Sequence, residues 1–259
     1  MTVSLNRKDA IATITLDRPE KHNAFDDAVI EKLAACFEQA GKDPAVRIII
    51  LQANGKHFSA GADLDWMRRM ADMDWQQNRA DALALAELMR TIDQNPKPVI
   101  CRVQGAAYGG ALGLICASDI AIAARGSRFC LSEVRLGILP AVISPYVVRA
   151  IGRRQAQRFF MTAEVIADEP AKQLGIIHEL CAAEDIDSVI EKTCIALLDG
   201  APGAQWRSRE LVEKAAGPID DALVEFTAEL IANLRTESEG RDGLDAFLNK
   251  STPGWRATR

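Results

Sequence analysis

One carboxylate stands among apolar side chains in residues 129–140 (FCLSEVRLGILP). Burial there would raise the pKa of Glu133, and a carboxyl whose pKa lies nearer neutrality can act as a general base and then as a general acid. The alternative is a structural ion pair of Glu133 with Arg135 or with another cation. The segment therefore predicts either a proton-transfer group or an ion-pair member at Glu133.

Two loops rich in small residues each follow an apolar run and open a helix: residues 56–64 (KHFSAGADL) and residues 104–113 (QGAAYGGALG). Small side chains let a ligand approach the main chain, and N–H groups at a helix start have no partner inside the helix. One N–H from each loop could converge on a single carbonyl oxygen and form an oxyanion hole. The alternatives are a tight turn capped by Asp63 in the first loop and close helix packing through the glycines of the second.

Other cofactor signatures are missing from the sequence. Neither G-x-x-x-x-G-K-[ST] nor G-x-G-x-x-G occurs in the second loop, so neither a nucleoside triphosphate nor a dinucleotide is predicted. His57 could contact a phosphate, but no acidic partner lies at metal-ligand spacing, and His22 and His178 are far from it in sequence. No metal site is expected.

The elements around these loops predict an α/β fold. Apolar runs alternate with helical periodicity, and aromatic residues make up only 5% of the chain, which favours helices packed on aliphatic strands. We expect a hairpin of residues 2–5 and 11–17, a helix from Asp26 or Asp27 to Gly41, strands at 46–52, 99–104 and 119–124, and a helical stretch at 64–94 that breaks near 72–74.

The chain changes character near residue 200. Residues 199–203 (DGAPG) form a cluster of helix and strand breakers, and strand signals are missing after it. Helical patterns remain at 204–216, 219–236 and 239–250. We therefore expect a core of residues 1–200 that holds the site, and a helical region of residues 201–259 that packs on the core or on a neighbouring subunit.

Composition excludes several classes of function. The formal net charge of −5 disfavours a phosphate-backbone binder, so no nucleic acid partner is expected. The six cysteines show no C-x-x-C pair and have mostly aliphatic neighbours, which predicts buried thiols and a reducing compartment. No signal peptide and no apolar run of membrane-spanning length is present, so the expectation is a cytoplasmic protein without a membrane partner.

Several motifs in order resemble the enoyl-CoA hydratase/isomerase family, also called the crotonase superfamily. They are residues 17–24 (DRPEKHNA), 58–64 (FSAGADL), 98–100 (PVI), 105–110 (GAAYGG), Asp119 and 243–247 (GLDAF). The resemblance implies a spiral of ββα turns with a C-terminal helical region that builds homotrimers, often paired into hexamers. It also implies an acyl-CoA substrate, with coenzyme A as the thioester carrier and no permanently bound cofactor.

The same resemblance assigns roles to individual residues. The family's oxyanion hole falls on the backbone N–H groups of Ala62 and Gly110, and its proton-transfer glutamate on Glu133. Coenzyme A is expected on the backbone of Ala60, Ala62, Asp63 and Leu64, with Phe247 and Lys250 near the adenine or the phosphates, reaching across a subunit boundary. The alternatives for the last two are ordinary packing and an exposed lysine at a helix end.

One family position departs from the usual pattern. Family hydratases usually have a second glutamate, and its position is occupied here by Gly113. Members with a single glutamate include Δ3,Δ2-enoyl-CoA isomerases, so double-bond isomerisation stays open beside hydration by Glu133 alone. A third alternative is a member of the fold that binds acyl-CoA or RNA without catalysis.

Two segments are similar to a narrower group within the family. Residues 58–67 and 131–152 resemble bacterial 3-methylglutaconyl-CoA hydratases of leucine degradation and, next, isohexenylglutaconyl-CoA hydratases of terpene degradation. The resemblance thus implies a lyase acting on a substrate with a second carboxylate. Candidate ligands for that carboxylate are Arg68, Arg69, Arg135, Arg149, Ser144 and Tyr146.

Overall fold

The computed structural model describes residues 2–256. In chain order its strands and α-helices are β1 (Val3–Lys8), β2 (Ile11–Leu16), α1 (Asp27–Lys42), β3 (Ile48–Ala53), α2 (Leu64–Asp72), α3 (Trp75–Asp93), β4 (Val99–Val103), β5 (Ala106–Tyr108), α4 (Gly110–Ala117), β6 (Ile120–Ala124), β7 (Arg128–Cys130), α5 (Ser144–Thr162), β8 (Ile166–Ala167), α6 (Asp168–Leu174), β9 (Glu179–Cys181), α7 (Ile186–Asp199), α8 (Pro202–Ala215), α9 (Asp221–Thr236) and α10 (Ser238–Leu248). Short 3₁₀ helices lie at Pro19–Lys21, Glu133–Leu136 and Gly254–Arg256.

Six strands form the main sheet in the order β1-β2-β3-β4-β6-β9. The β1–β2 pair is antiparallel and every other pair is parallel. The central strands are rich in isoleucine, valine and alanine and are mostly buried, as expected for parallel strands covered on both faces. The parallel order places the carboxyl ends of β3, β4 and β6 at one edge.

A small second sheet positions the loops that leave this edge. It pairs β5 with β7 in parallel and β7 with β8 in antiparallel fashion, and Ser59 extends it through a parallel bridge to Ala107. Ala107 lies opposite Phe129, so Ser59, Ala107 and Phe129 form one row. Three successive turns of the chain, each with a long strand, a short extended segment and a helix, therefore bring their short segments side by side.

The three C-terminal helices are attached at the opposite edge of the main sheet. Arg209 of α8 donates hydrogen bonds to the carboxylate of Asp119 and to the carbonyls of Asn95 and Lys97, which lie just before β6 and β4. Arg47, just before β3, donates to the carbonyl of Gly200. The helices thus cover the amino ends of these strands, away from the small sheet.

Most of the predicted elements are confirmed, and the α/β expectation with them. The hairpin is present, but β1 continues to Lys8, so its turn is shorter than expected. Asp26 caps α1, and the helix ends at Lys42 instead of Gly41 because Gly41 itself keeps helical backbone. The break between α2 and α3 lies at residues 73–74. The short strand β5 was not foreseen, since three residues carry too little periodicity.

Two further expectations concern buried groups and membranes. All six cysteines are free thiols and five of them are buried, as their aliphatic neighbours predicted. Burial raises the pKa of the Cys116 thiol to about 12, so it behaves as a small apolar group. Across residues 2–256, the structure contains no helix with the length and apolar character that crossing a bilayer requires.

Candidate active site

The first loop presents the N–H of Ala62 outward. A parallel bridge joins it to residue 25: the Phe25 N–H donates to Gly61 O at 2.8 Å, and the Asp63 N–H donates to Phe25 O at 2.7 Å. These two bonds flank Ala62, whose own N–H donates to no other group in residues 2–256. An exposed alanine with a free N–H is a ready donor for a ligand oxygen.

Buried polar residues hold this loop in place. The Arg18 guanidinium donates to Asp26 Oδ2 at 2.6 Å and to Asp63 Oδ2 at 3.2 Å. The Asn23 side-chain amide donates to the carbonyls of Asn54 and His57, at 2.8 and 2.9 Å. Arg18 and Asn23 lie in the family motif at residues 17–24, but the sequence analysis assigned no role to either side chain.

The carboxylate of Asp63 is fully engaged inside the protein. Its Oδ1 accepts from the N–H groups of Asp65 and Trp66 and caps α2, while Lys21 donates to its Oδ2 at 3.1 Å. Burial alone would raise the pKa of Asp63, but Lys21 and the two N–H groups outweigh it and lower the pKa. The loop is therefore both a tight turn capped by the Asp63 side chain and a segment whose backbone can bind a ligand.

The second loop meets the first at two glycines. Gly109 has φ 56° and ψ −125°, a backbone conformation that requires glycine, and its N–H donates to Cys130 O at 2.9 Å. A Cβ built on Gly109 would lie 3.9 Å from Gly61 Cα. Ala62 and Gly110 each follow one of these contacting glycines, and Gly110 opens α4, where its N–H has no acceptor within the helix.

The carboxyl of Glu133 lies against the same glycines. A Cβ built on Gly109 would lie 3.4 Å from Glu133 Oε1, and the buried Oε2 has no hydrogen-bond partner among residues 2–256. Arg135 donates instead to the carbonyl of Ala163 at 2.8 Å, so the expected alternative of an ion pair between Glu133 and Arg135 is wrong. Burial without a cation raises the pKa of Glu133.

This raised pKa makes a prediction for stability. The native state holds the Glu133 proton more tightly than the unfolded chain, so the free energy of unfolding falls as pH rises from about 4.3 through the native pKa. Glu133→Gln removes the titrating group, so its stability relative to the unsubstituted protein should increase over the same pH range. Urea denaturation at a series of pH values measures this difference. A difference that stays constant or shrinks with rising pH would contradict the buried carboxyl.

The position of the usual second glutamate is filled by other side chains. Gly113 lies one turn along α4 from Gly110, and a Cβ there would lie 2.3 Å from Ile143 Cγ2 and 2.9 Å from Met89 Sδ. Ile143 and Met89 are both buried. Among the described residues 2–256, position 113 therefore offers neither a carboxyl nor the space for one.

Installing that carboxyl should damage the protein. Gly113→Glu forces overpacking against Ile143, so we expect the free energy of unfolding to fall by about 1–3 kcal/mol or more. Urea denaturation checks the loss. In the double variant Gly113→Glu/Ile143→Ala the loss should be smaller than the sum of the two single losses, because the clash is relieved. A single variant as stable as the parent would contradict the packing described.

The candidates for a distal carboxylate all have partners in the structure. Arg68 pairs with Asp65, Arg69 with Asp27 and Arg149 with Asp93. Ser144 donates to the carbonyl of Ala141. Tyr146 is half-buried, and the Arg149 guanidinium lies 5.6 Å from the centre of its ring.

Phe247 and Lys250 lie on the C-terminal helical region. α10 packs on α9 and, through Gly243, on Trp255, whose carbonyl accepts a hydrogen bond from Arg47 just before β3, at the end of that strand opposite the two loops. Phe247 is 81% exposed. Within one chain, the structure does not bring these two residues together with Ala62, Gly110 and Glu133.

The histidines differ from the expectation in one respect. The rings of His22 and His57 lie 5.3 Å apart in an edge-to-face arrangement, because the segment before α1 folds back over the first loop. His57 Nδ1 accepts a hydrogen bond from the Ala106 N–H at 3.0 Å. In the described part of the chain, no three metal-ligating side chains form a group suited to a metal ion.

Comparison with known proteins places this geometry in a family. Residues 6–258 match the family model described as enoyl-CoA hydratase/isomerase. A solved enoyl-CoA hydratase from Shewanella pealeana is 46% identical, with a TM-score of 0.96 over 98% of this chain and 96% of that one. AtuE from Pseudomonas aeruginosa is 33% identical, with a TM-score of 0.93 over 99% and 100% of the two chains. The trans-2-decenoyl-[acyl-carrier-protein] isomerase of Streptococcus mutans is 30% identical over 96% of this chain and 95% of its own.

Proposed function

The chain belongs to the enoyl-CoA hydratase/isomerase family, and we propose that within this family it is a hydratase that adds water across the α,β double bond of a glutaconyl-type acyl-CoA. Its fold is the crotonase fold, and an acyl-CoA substrate is consistent with that family. The observation that carries the proposal is Glu133: a half-buried residue whose buried Oε2 has no hydrogen-bond partner within residues 2–256, beside two loops that each offer an N–H with no acceptor in that range.

Charge stabilisation comes from the two loops. The N–H groups of Ala62 and Gly110 bind the thioester oxygen of the substrate. As water adds to the β carbon, the double-bond electrons move toward this oxygen, and the two donors stabilise the resulting enolate. Since both loops are fixed by buried contacts, the donors need no rearrangement during the reaction.

Proton transfer is assigned to Glu133. Its carboxylate takes a proton from water while the water oxygen forms the bond to the β carbon. The same carboxyl then returns that proton to the α carbon as the enolate collapses, so atoms and charge balance with one residue. The raised pKa suits both roles, because a carboxyl whose pKa lies nearer the operating pH is a stronger base when ionised and is still able to give the proton back.

Binding of coenzyme A is assigned to the first loop and a second subunit. The backbone of Ala60, Ala62, Asp63 and Leu64 lines the approach to the donors, and the side chain of Asp63 is already engaged. Phe247 and Lys250 would complete the site from a neighbouring chain of a homotrimer or of a dimer of trimers. The proposal divides the chain into a catalytic core of residues 1–200 and an assembly region of residues 201–259.

For the distal carboxylate we assign Arg149 and Tyr146. Both lie on α5, directly after Ile143, which packs on Gly113. α5 packs on α4, the helix that starts at the oxyanion donor. In the proposed complex the substrate carboxylate replaces Asp93 as the partner of the Arg149 guanidinium. This arrangement supports 3-methylglutaconyl-CoA as the first candidate substrate and isohexenylglutaconyl-CoA as the next.

Arg149→Met tests the substrate assignment. We expect it to raise KM for 3-methylglutaconyl-CoA about tenfold, equivalent to about 1.4 kcal/mol, and to leave KM for crotonyl-CoA unchanged. Arg158→Met is the matched control, because Arg158 lies on α5 beyond the kink at Gly152 and pairs with Glu164 at the surface. Equal effects on both substrates, or equal effects of both variants, would contradict a distal-carboxylate site at Arg149.

Double-bond isomerisation is the second candidate function. The observation that favours it is the filled space at Gly113, since moving a double bond needs one base that removes a proton and returns it. The similarity to the Streptococcus mutans isomerase supports the same alternative. The two functions differ in the product, because only hydration leaves a new hydroxyl group.

A further inference from the structure

Residues 104–106, which follow β4 and include the first residue of β5, connect the three parts of the candidate site. The Phe58 N–H donates to Gln104 O at 2.8 Å, and the Ser59 N–H donates to Ala106 O at 3.1 Å, which attaches the first loop. The Arg128 N–H donates to Gly105 O at 2.8 Å, which attaches the strand leading to Glu133. The second loop continues directly from this segment.

The His57 side chain adds a further bond to this connection. Its Nδ1 accepts from the Ala106 N–H at 3.0 Å, and its backbone carbonyl accepts from Asn23. The two segments approach so closely that a Cβ on Gly105 would lie 2.1 Å from Lys56 O and 2.8 Å from His57 Nδ1. His57, on the segment that leads to Ala62, is thus held tightly against the segment that leads to Gly110.

We propose that His57 is a positioning residue that sets the spacing of the Ala62 and Gly110 N–H groups by bonding to Ala106. The inference rests on the oxyanion role given to these groups in the proposed function. Ala106 lies four residues before Gly110, and His57 five residues before Ala62, so a shift at this bond is transmitted to both donors. Misplacement of a catalytic donor by about 1 Å can cost about 100-fold in rate.

The chemical state of the ring agrees with this role. An imidazole that accepts at Nδ1 is neutral and carries its proton at Nε2. Burial lowers the pKa of His57, and the nearby His22 and Lys56 lower it further, so the acceptor form is retained at neutral pH. A direct role as a cation for a phosphate is not compatible with that state.

The chain offers a matched control for the loss of this bond. His178 Nδ1 accepts from the Ala121 N–H at 3.0 Å, the same kind of bond, near the start of β6 and away from the two loops. His57→Leu and His178→Leu therefore remove equivalent bonds at different places. In His57→Asn the amide oxygen takes the place of Nδ1 and restores the acceptor.

The test measures two quantities separately: the polarisation of the carbonyl group of a bound thioester, and the turnover of a substrate. Butanoyl-CoA labelled with carbon-13 at its carbonyl can be neither hydrated nor isomerised, and hydrogen bonds to its oxygen shift the carbonyl resonance downfield. We expect His57→Leu to lose most of this shift and to lower kcat for 3-methylglutaconyl-CoA about tenfold or more, with a smaller change in KM. His178→Leu should keep both values, and His57→Asn should recover both.

Other outcomes separate the two hypotheses. A His57→Leu protein with an unchanged shift and kcat, or an equal loss in His178→Leu, would overturn the positioning role. If the parent protein shows the shift but turns over no enoyl-CoA, the proposed function is overturned. Loss of the shift in His57→Leu would then still support the positioning role. If His57→Leu does not fold, His57→Gln replaces it, because its amide oxygen sits one carbon further out and cannot occupy the Nδ1 position.

Discussion

Replacing Glu133 by Gln is expected to lower kcat by about 100-fold or more, because the amide keeps the shape of the carboxyl but can neither take a proton from water nor return it. The contact with Gly109 needs only the shape, so the fold and the two loops should be unaffected. Steady-state kinetics with 3-methylglutaconyl-CoA and calorimetric titration with butanoyl-CoA measure the two effects separately. Affinity for the saturated thioester should change by less than a few fold.

The control for this substitution is Glu164→Gln. Glu164 lies at the surface after α5 and pairs with Arg158, so its replacement changes the same functional group outside the site. It should leave kcat unchanged. A Glu133→Gln protein with kcat within a few fold of the parent would exclude Glu133 as the proton-transfer group.

Replacing Gly110 by Pro is the second large effect. Proline removes the N–H that binds the thioester oxygen, and loss of one such donor costs about 100-fold to 1000-fold in kcat. Proline is well tolerated at the first position of a helix, which Gly110 occupies, so the substitution acts mainly on the donor. Kinetics, together with a circular dichroism spectrum that checks folding, measure the result.

Gly110→Ala distinguishes the effect of losing the N–H donor from the effect of adding a side chain at residue 110. A Cβ on Gly110 would lie 3.4 Å from Phe25 Cδ2, which is close to ordinary van der Waals contact, and alanine keeps the N–H. We expect kcat within a few fold of the parent. If the alanine and proline variants lose activity equally, the effect comes from volume at residue 110 and the oxyanion assignment is wrong.

The parts of the site that sequence reasoning located are local features of the chain. A loop of small residues between a strand and a helix can be read from a few consecutive positions, so the loops at Ala62 and Gly110 were identifiable. Glu133 was identifiable as a polar residue within an apolar segment. The geometry adds that Ser59, Ala107 and Phe129 share one row, which is why three distant segments end together.

The features that sequence reasoning missed depend on contacts between distant segments. Arg18 and Asp63 are 45 positions apart, and nothing in the sequence near either residue indicates that they form an ion pair. The packing of Ile143 and Met89 on Gly113 joins three elements, so the sequence showed a missing carboxyl but not the filled space. The contact of His22 with His57 likewise depends on the chain folding back before α1.

The central claim is that Glu133 and the two N–H donors add water to an enoyl thioester, and mass spectrometry in water labelled with oxygen-18 tests it most directly. The purified protein is incubated with 3-methylglutaconyl-CoA, and with crotonyl-CoA and a 3-enoyl-CoA in parallel. Our account predicts a product from 3-methylglutaconyl-CoA that is heavier by one labelled water, formed faster than from crotonyl-CoA and lost in Glu133→Gln. An unlabelled isomer formed from the 3-enoyl-CoA, with no labelled product from the other two, would contradict it.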